Sequence, residues 1–219
     1  MFIGHFGIAL AAKRVAPRTS LGALVLATAF LDLLWPMFLL LGVEHVRIAP
    51  GITTASPFDF YDYPISHSLL TVAGWAAVVA LLYYVGTRYS RGAWAMGLGV
   101  LSHWVLDAIV HRPDLPFWPG GRLRFGLGLW NSWGWSIAAE LAVFLGGLFF
   151  YLRATRARDR IGRYGFWSLL VFLMVAWISS MLAGAPPSVA AVAWGGLSLW
   201  LLLPWAWWAD RHREPTASL

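Results

Sequence analysis

Long apolar runs constrain this chain more than any other feature of its sequence. Six of them approach the roughly 20 residues that a helix needs to cross the hydrocarbon core of a bilayer. Only 12% of the residues are charged, about half the share that is typical of soluble domains. The predicted fold class is therefore all-α, a polytopic transmembrane helix bundle. The six predicted full spans are residues 21–43, 65–87, 92–111, 131–152, 164–183 and 188–209.

A shorter apolar stretch, residues 2–12, precedes these spans. As a helix it is about 16 Å long, so we predict a short membrane-inserted helix that contains His5. Its basic residues follow the apolar run, which is the reverse of the order in a cleavable signal peptide. We divide the chain into residues 1–152, a helix bundle with the candidate site, and residues 153–219, two further spans and a polar C-terminal tail.

Lysine and arginine are distributed unevenly between alternate loops. Loops 13–20, 88–91 and 153–163 and the C-terminal tail together carry twelve of the sixteen, and the opposite loops carry four. The positive-inside rule therefore predicts a multi-pass protein whose C-terminus is cytoplasmic. Because the formal charge of +6 is explained by topology, we expect the lipid bilayer as a partner and no nucleic acid. The sequence indicates no oligomeric state.

The central predicted helix carries His103, Asp107 and His111 at intervals of four residues. At 100° per residue these side chains share one face of the helix. Ionisable groups are costly in hydrocarbon and mark a functional site by default. Four further ionisable residues lie on other predicted segments. When positions are counted from the ends of these segments, the four residues lie at a similar depth in the membrane. They are His5, Asp32, His67 and Glu140.

Imidazole and carboxylate groups in this number indicate a divalent metal site, for zinc first and for manganese or iron as alternatives. The chain has no cysteine to supply thiolate ligands. His103 and Asp107 can hold one ion from a single helix. His111 lies about 12 Å further along that helix, so it would bind a second ion with Asp107, transfer a proton or contact the substrate. Glu140 is equally compatible with ligation and with a hydrogen bond between helices.

Other polar residues have simpler interpretations. A single buried histidine is often just hydrogen-bonded to a carbonyl group, and Ser66 is expected to cap its helix rather than to act as a nucleophile. Four residues are expected to be solvated or to lie in ordinary loop positions. They are His45, Asp59, Asp62 and His212.

Four motifs occur in a recognisable order: Gly4-His5, the sequence FLD at 30–32, SHSLL at 66–70, and Ser102-His103 followed by Asp107 and a loop rich in proline and tryptophan. Together they resemble the bacterial inner-membrane metal-dependent hydrolase family whose founding member is LexA-regulated. That family is distantly similar to the zinc-dependent phospholipase C group. The resemblance covers about residues 1–120 and does not include the last two spans.

The resemblance implies a protein of the bacterial inner membrane with a metal-dependent hydrolase activity. It implies metal ligation by His5, Asp32, His67, His103 and Asp107. The chain departs from the family pattern in two places. Leu34 stands where a second aspartate is usual, and residues 63–67 read YPISH where the family often has an Arg-Gly-x-Thr-His run. A two-metal site would then need a further ligand, from His111 or Glu140.

The first hypothesis is therefore a membrane-embedded enzyme that hydrolyses an ester or phosphoester, in a small molecule or a lipid, from the extracytoplasmic side. Glu140 or His111 would move protons. Three alternatives stay open: a proton- or cation-coupled transporter that uses the same residues, a redox protein with bis-histidine haem, and a purely structural membrane protein.

Overall fold

The computed structural model describes residues 1–216 and is mostly helical. The α-helices of the described residues are α1 (Ile3–Val15), α2 (Leu21–Thr28), α3 (Phe30–Leu40), α4 (Pro64–His67), α5 (Leu69–Thr87), α6 (Ser90–Val110), α7 (Trp133–Ala154), α8 (Arg160–Leu182), α9 (Val189–Leu197) and α10 (Leu202–Arg211). Short 3₁₀ segments span Leu129–Asn131 and Ser198–Leu201.

Five helical segments are long and apolar enough to cross a membrane: α5, α6, α7, α8 and the α9–α10 segment. Large apolar side chains on their outer faces are exposed, such as Leu82, Val105 and Val171. A soluble protein would not leave so much apolar surface open to water, so the surface is that of a membrane protein. Helix α6 is the most buried of the five, as expected for the central helix.

The first predicted span, residues 21–43, is broken rather than continuous. Helices α2 and α3 meet at an angle of 57° around Ala29. The break does not lie at the proline of this segment, because Pro36 is inside α3. The break has a different physical cause, because the carbonyl of Thr28 accepts a hydrogen bond from His103 Nδ1 at 2.8 Å. A side chain that takes over a backbone carbonyl in this way is one of the recognised causes of a helix bend.

Glycines allow the N-terminal helix to lie directly on α7. A Cβ atom at Gly147 would stand 1.9 Å from the carbonyl oxygen of Gly7, and one at Gly7 would stand 2.5 Å from that of Val143. Close contacts of this kind, built from small residues, are how helices associate inside membranes. Helix α1 is therefore a buried part of the bundle, and it holds His5 against α6 and α7.

Three two-stranded antiparallel sheets close the ends of the bundle within residues 1–216. The strands are β1 (His45–Ile48), β2 (Phe58–Asp62), β3 (Leu115–Pro116), β4 (Arg124–Phe125), β5 (Thr155–Ala157) and β6 (Arg213–Pro215). In the first sheet His45 pairs with Asp62 and Ile48 with Phe58. We call the end that carries β1 to β4 the hairpin end. The opposite end, which carries the arginine-rich loop at β5, is the basic end.

The described part of the C-terminal tail, as far as Thr216, packs against the bundle. Strand β6 pairs with β5, and the Asp210 carboxylate is buried at the basic end. That carboxylate accepts hydrogen bonds from Lys13 Nζ at 2.5 Å, the Tyr151 hydroxyl at 2.8 Å and the Leu21 backbone N–H at 3.0 Å. It therefore ties α1, α2, α7 and α10 together. Residues 217–219 of the predicted tail lie outside the described residues.

We expect the Asp210→Ala substitution to destabilise the bundle strongly. It would leave the Lys13 ammonium group buried without its partner, which costs on the order of 3–5 kcal/mol in soluble proteins. Thermal unfolding in detergent would measure this loss. The control is Glu214→Ala, which removes an exposed pair with Arg156 worth less than about 1 kcal/mol. Equal unfolding temperatures for the two variants would contradict the assigned role of Asp210.

Candidate metal centre

The Asp107 carboxylate is the point at which the polar groups of the bundle meet. It is buried on α6, and four histidines direct Nε2 towards it. The distances from Nε2 to the nearer carboxylate oxygen are 3.2 Å for His5, 3.7 Å for His67, 3.1 Å for His103 and 4.0 Å for His111. The amino nitrogen of Met1 lies 2.5 Å from the same carboxylate.

Asp32 approaches this cluster from the first turn of α3. Its Oδ1 atom lies 3.6 Å from His103 Nε2, and its side chain is 31% exposed, whereas that of Asp107 is buried. The break between α2 and α3 places Asp32 at the start of a new helix beside His103. Asp32 is therefore the most exposed member of the cluster.

Two overlapping groups of side chains could hold a metal ion. One consists of His5, His103 and Asp107, the other of Asp32, His67 and His103, and in each group the ligand atoms lie within 4.8 Å of one another. These are the five ligands that the sequence motifs predicted. The structure brings all five together from α1, α3, α4 and α6.

Two of these histidines have buried ring nitrogens without a hydrogen-bond partner. Both nitrogens of His5 and Nε2 of His103 are in this state. A buried polar atom without a partner costs free energy, and most such atoms in native proteins are satisfied. Unpartnered imidazole nitrogens that face a buried carboxylate fit a divalent ion well.

The orientation of His103 and His67 is set by hydrogen bonds on the far side of each ring. His103 donates from Nδ1 to the Thr28 carbonyl. Ser66 Oγ donates to Glu44 Oε2 at 2.5 Å, so it accepts from His67 Nδ1 at 2.7 Å. Each ring therefore has its unprotonated Nε2 directed at the cluster. Such outer partners are the usual companions of metal-binding histidines.

Glu140 binds the first turn of α1 rather than the cluster itself. Its two carboxylate oxygens accept from the backbone N–H groups of Phe2 at 2.6 Å and Gly4 at 2.8 Å. These N–H groups have no partner within the helix. The carboxylate thus fixes α1 and with it His5, although Glu140 also borders the cavity described below. A role for Glu140 in proton transfer stays a prediction.

His111 ends α6 and forms a second polar group next to the cluster. Its Nδ1 donates to Asp114 Oδ1 at 2.9 Å, and the Tyr63 hydroxyl donates to the same oxygen at 2.9 Å. Burial and the neighbouring Asp114 raise the pKa of Tyr63 well above its usual value, so the phenol keeps its proton. Trp130 packs against the His111 ring, with 4.1 Å between ring centroids. His111 is therefore held firmly while its Nε2 remains directed at Asp107.

A cavity of about 250 Å³ opens at the cluster. Asp32, His67, Asp107 and His111 are among its lining residues, and so is Trp130 of the loop that follows α6. This loop therefore contributes to the wall of the cavity. We call this space the site cavity.

The remaining sequence predictions have mixed outcomes. His45 is exposed as expected. The prediction that Ser66 caps its helix is wrong, because Ser66 lies inside α4 and bonds to His67 and Glu44, while Ser68 caps α5. Asp59 forms ion pairs with Arg112 and Arg47. Two residues that position the site were missed, Glu44 and Asp114. Asp114 follows His111 at the i+3 position, a spacing that can indicate such a pair, whereas Glu44 has no recognisable signal because its contacts lie more than 20 positions away.

No protein-family model matches this sequence, and no curated protein or solved structure matches it significantly. The family resemblance therefore stays a prediction.

We expect the His103→Ala variant to lose the bound divalent ion, because His103 belongs to both ligand groups. Elemental mass spectrometry of the detergent-purified protein would measure metal per chain, with size-exclusion chromatography to check folding. His45→Ala is the matched control, since His45 is an exposed histidine at the hairpin end. Equal metal content in both variants would contradict the site.

We expect Ser66→Ala to weaken zinc binding by about 10- to 100-fold without abolishing it, because the change removes the partner that orients His67. Competition with a fluorescent zinc chelator would measure the affinity. Ser68→Ala is the control, because Ser68 caps α5 and does not bond to His67. A loss of affinity shared equally by the two variants would point to a general loss of stability instead.

Proposed function

We propose that this protein is a membrane-embedded, metal-dependent hydrolase that acts on an ester or phosphoester. The observation that carries the proposal is the cluster of unpartnered imidazole nitrogens around two carboxylates at the end of a cavity. A bound divalent ion supplies Lewis-acid polarisation of an ester or phosphoryl oxygen. We propose zinc as the ion, because imidazole and carboxylate ligands suit it and thiolates are not needed.

Five side chains would hold the ion, in full or in part: His5, Asp32, His67, His103 and Asp107. Since Asp32 borders the cavity, it stands between the buried ligands and an incoming substrate. This arrangement resembles catalytic rather than structural metal sites, which are closed on all sides by protein ligands.

His111 would serve as the proton-transferring group. Hydrolysis adds a hydroxyl group from water to the carbonyl carbon or phosphorus and delivers the second proton to the leaving oxygen. The Nε2 atom of His111 lies within the site cavity, next to Asp107. Asp114 and Trp130 hold the ring in place, so its tautomer and its direction are both fixed. Positioned general acid–base groups typically contribute about 10²- to 10⁴-fold to a rate.

We further propose the membrane arrangement that goes with this activity. The bent pair α2–α3 would form the sixth span, and α1 would be inserted without crossing. The charge of the loops favours a cytoplasmic basic end, which would place the hairpin end and the site cavity on the extracytoplasmic side of a bacterial inner membrane.

Hydrolysis assays with zinc-loaded protein would test the function. The probes are p-nitrophenyl butyrate for esters and bis(p-nitrophenyl) phosphate for phosphoesters. We expect at least one to be hydrolysed, and we expect Asp107→Asn to lower that rate by about 100-fold or more, since it removes the buried carboxylate ligand. Asp62→Asn, an exposed aspartate at the hairpin end, should keep the rate. If the metal-loaded protein hydrolyses neither the ester nor the phosphoester, the proposal is overturned and cation-coupled transport is favoured.

The Asp114→Asn variant separates positioning from metal binding. We expect kcat to fall by about 10- to 100-fold, because the amide no longer fixes the His111 tautomer, while the metal content stays unchanged. Stopped assays and elemental analysis on one preparation would give both values. A parallel loss of metal would instead assign Asp114 to the stability of the metal centre.

A further inference from the structure

A second and larger cavity, of about 550 Å³, adjoins the site cavity. The two share part of their lining, including Phe2, Asp32 and Trp35. We call the second cavity the side chamber. Its volume lies within the range of about 300–1,000 Å³ that is usual for small-molecule sites. Asp32 therefore borders both spaces, and a molecule bound there lies at the edge of the side chamber.

The far wall of the side chamber is built from residues that the family resemblance does not include. It is formed by the end of α8, the turn that follows it, and α9. Gly196 packs on α3 so closely that a Cβ atom there would lie 2.5 Å from Pro36 Cγ, whereas a Cβ atom at Gly195 would meet nothing within 4 Å. The glycine pair thus brings α9 against α3 and at the same time leaves room beside it.

The two cavities differ in the number of titratable side chains that border them. The site cavity is bordered by titratable groups such as His67, Asp107 and Glu140. Among the residues of 1–216 that border the side chamber, Asp32 is the one charged side chain. Much of the rest is small or apolar, as in Pro36, Val192 and Leu199. From Ala191 to Leu199 this wall extends about 12 Å at the rise of a helix.

We propose that the substrate is an amphiphile, with an ester or phosphoester head at the metal centre and a hydrocarbon chain in the side chamber. The inference rests on the proposed function and names its substrate class. A charged centre that continues into an apolar space matches the two halves of such a molecule. Helices α8 and α9 would then be the part of the chain that selects the substrate.

The side chamber would position the substrate more than it would raise the affinity for the substrate. Lipid tails are as apolar as the chamber wall, so a chain gains little by moving from the bilayer into it. A chain held in the chamber instead fixes the head group beside Asp32, and this orientation raises the rate. The expected effect is therefore on the selectivity between long and short chains.

The experiment compares kcat/KM for p-nitrophenyl dodecanoate and p-nitrophenyl butyrate, which share one reacting group. Gly195→Phe places a ring in the side chamber, and Gly74→Phe places one on an exposed face of α5, where a Cβ atom also meets nothing. We expect Gly195→Phe to lower the ratio of long- to short-chain kcat/KM by about tenfold or more, as expected for a filled specificity pocket. Gly74→Phe should leave the ratio unchanged. Equal ratios in both variants would overturn the inference.

A binding measurement decides the inference even if no ester is hydrolysed. Dodecyl phosphate with a diazirine at its chain end would be photo-crosslinked to the zinc-loaded protein and the labelled residues mapped by mass spectrometry. Labels within residues 191–199 and 33–40 that unlabelled dodecyl phosphate competes away would support it. Labels spread over α5 without competition would overturn it.

If Gly195→Phe does not fold, Ala191→Leu tests the same wall. Chamber labelling without any hydrolysis would overturn the proposed function alone.

Discussion

The structure depends on one buried carboxylate, that of Asp107. An isolated carboxylate is too costly to leave in the middle of an apolar bundle, so the surrounding helices bring compensating groups to it. Four histidines direct Nε2 towards Asp107, from α1, α4, the interior of α6 and the position that directly follows α6. The break between α2 and α3 follows from the same requirement, because it supplies the Thr28 carbonyl that orients His103.

Two layers surround that carboxylate and have different tasks. The inner layer consists of the five candidate ligands, whose unpartnered nitrogens fit an ion. The outer layer consists of Glu44, Ser66 and Asp114, which contact histidine rings or their partners and fix their direction. Glu140 belongs to the outer layer as well, since it holds the first turn of α1. A ligand set of this kind needs such supports, because an imidazole that can rotate binds a metal weakly.

The last two apolar runs carry no charged group, yet the fold places them next to the candidate site. Residues 164–183 and 188–209 contain only apolar and uncharged side chains, and no feature of their sequence connects them with the site. In the fold, the end of α8 and α9 form the wall of the side chamber next to Asp32. The division of the chain at residue 152 is therefore useful for describing the sequence, while the proposed substrate site uses both parts.

The sequence by itself determined the helical membrane class and the set of candidate ligands. Apolar runs of membrane length require helices, because backbone groups in lipid need partners within their own segment, and the cost of charge in lipid singles out His103, Asp107 and Asp32. Only the tertiary structure decided the break at Ala29, the burial of Glu44 and Asp114, and the ordered tail around Asp210. These features arise from contacts between residues far apart in the chain, such as His103 with Thr28 and Lys13 with Asp210. Local periodicity carries no information about such pairs, since it reports the faces of a helix and not the neighbours that those faces meet.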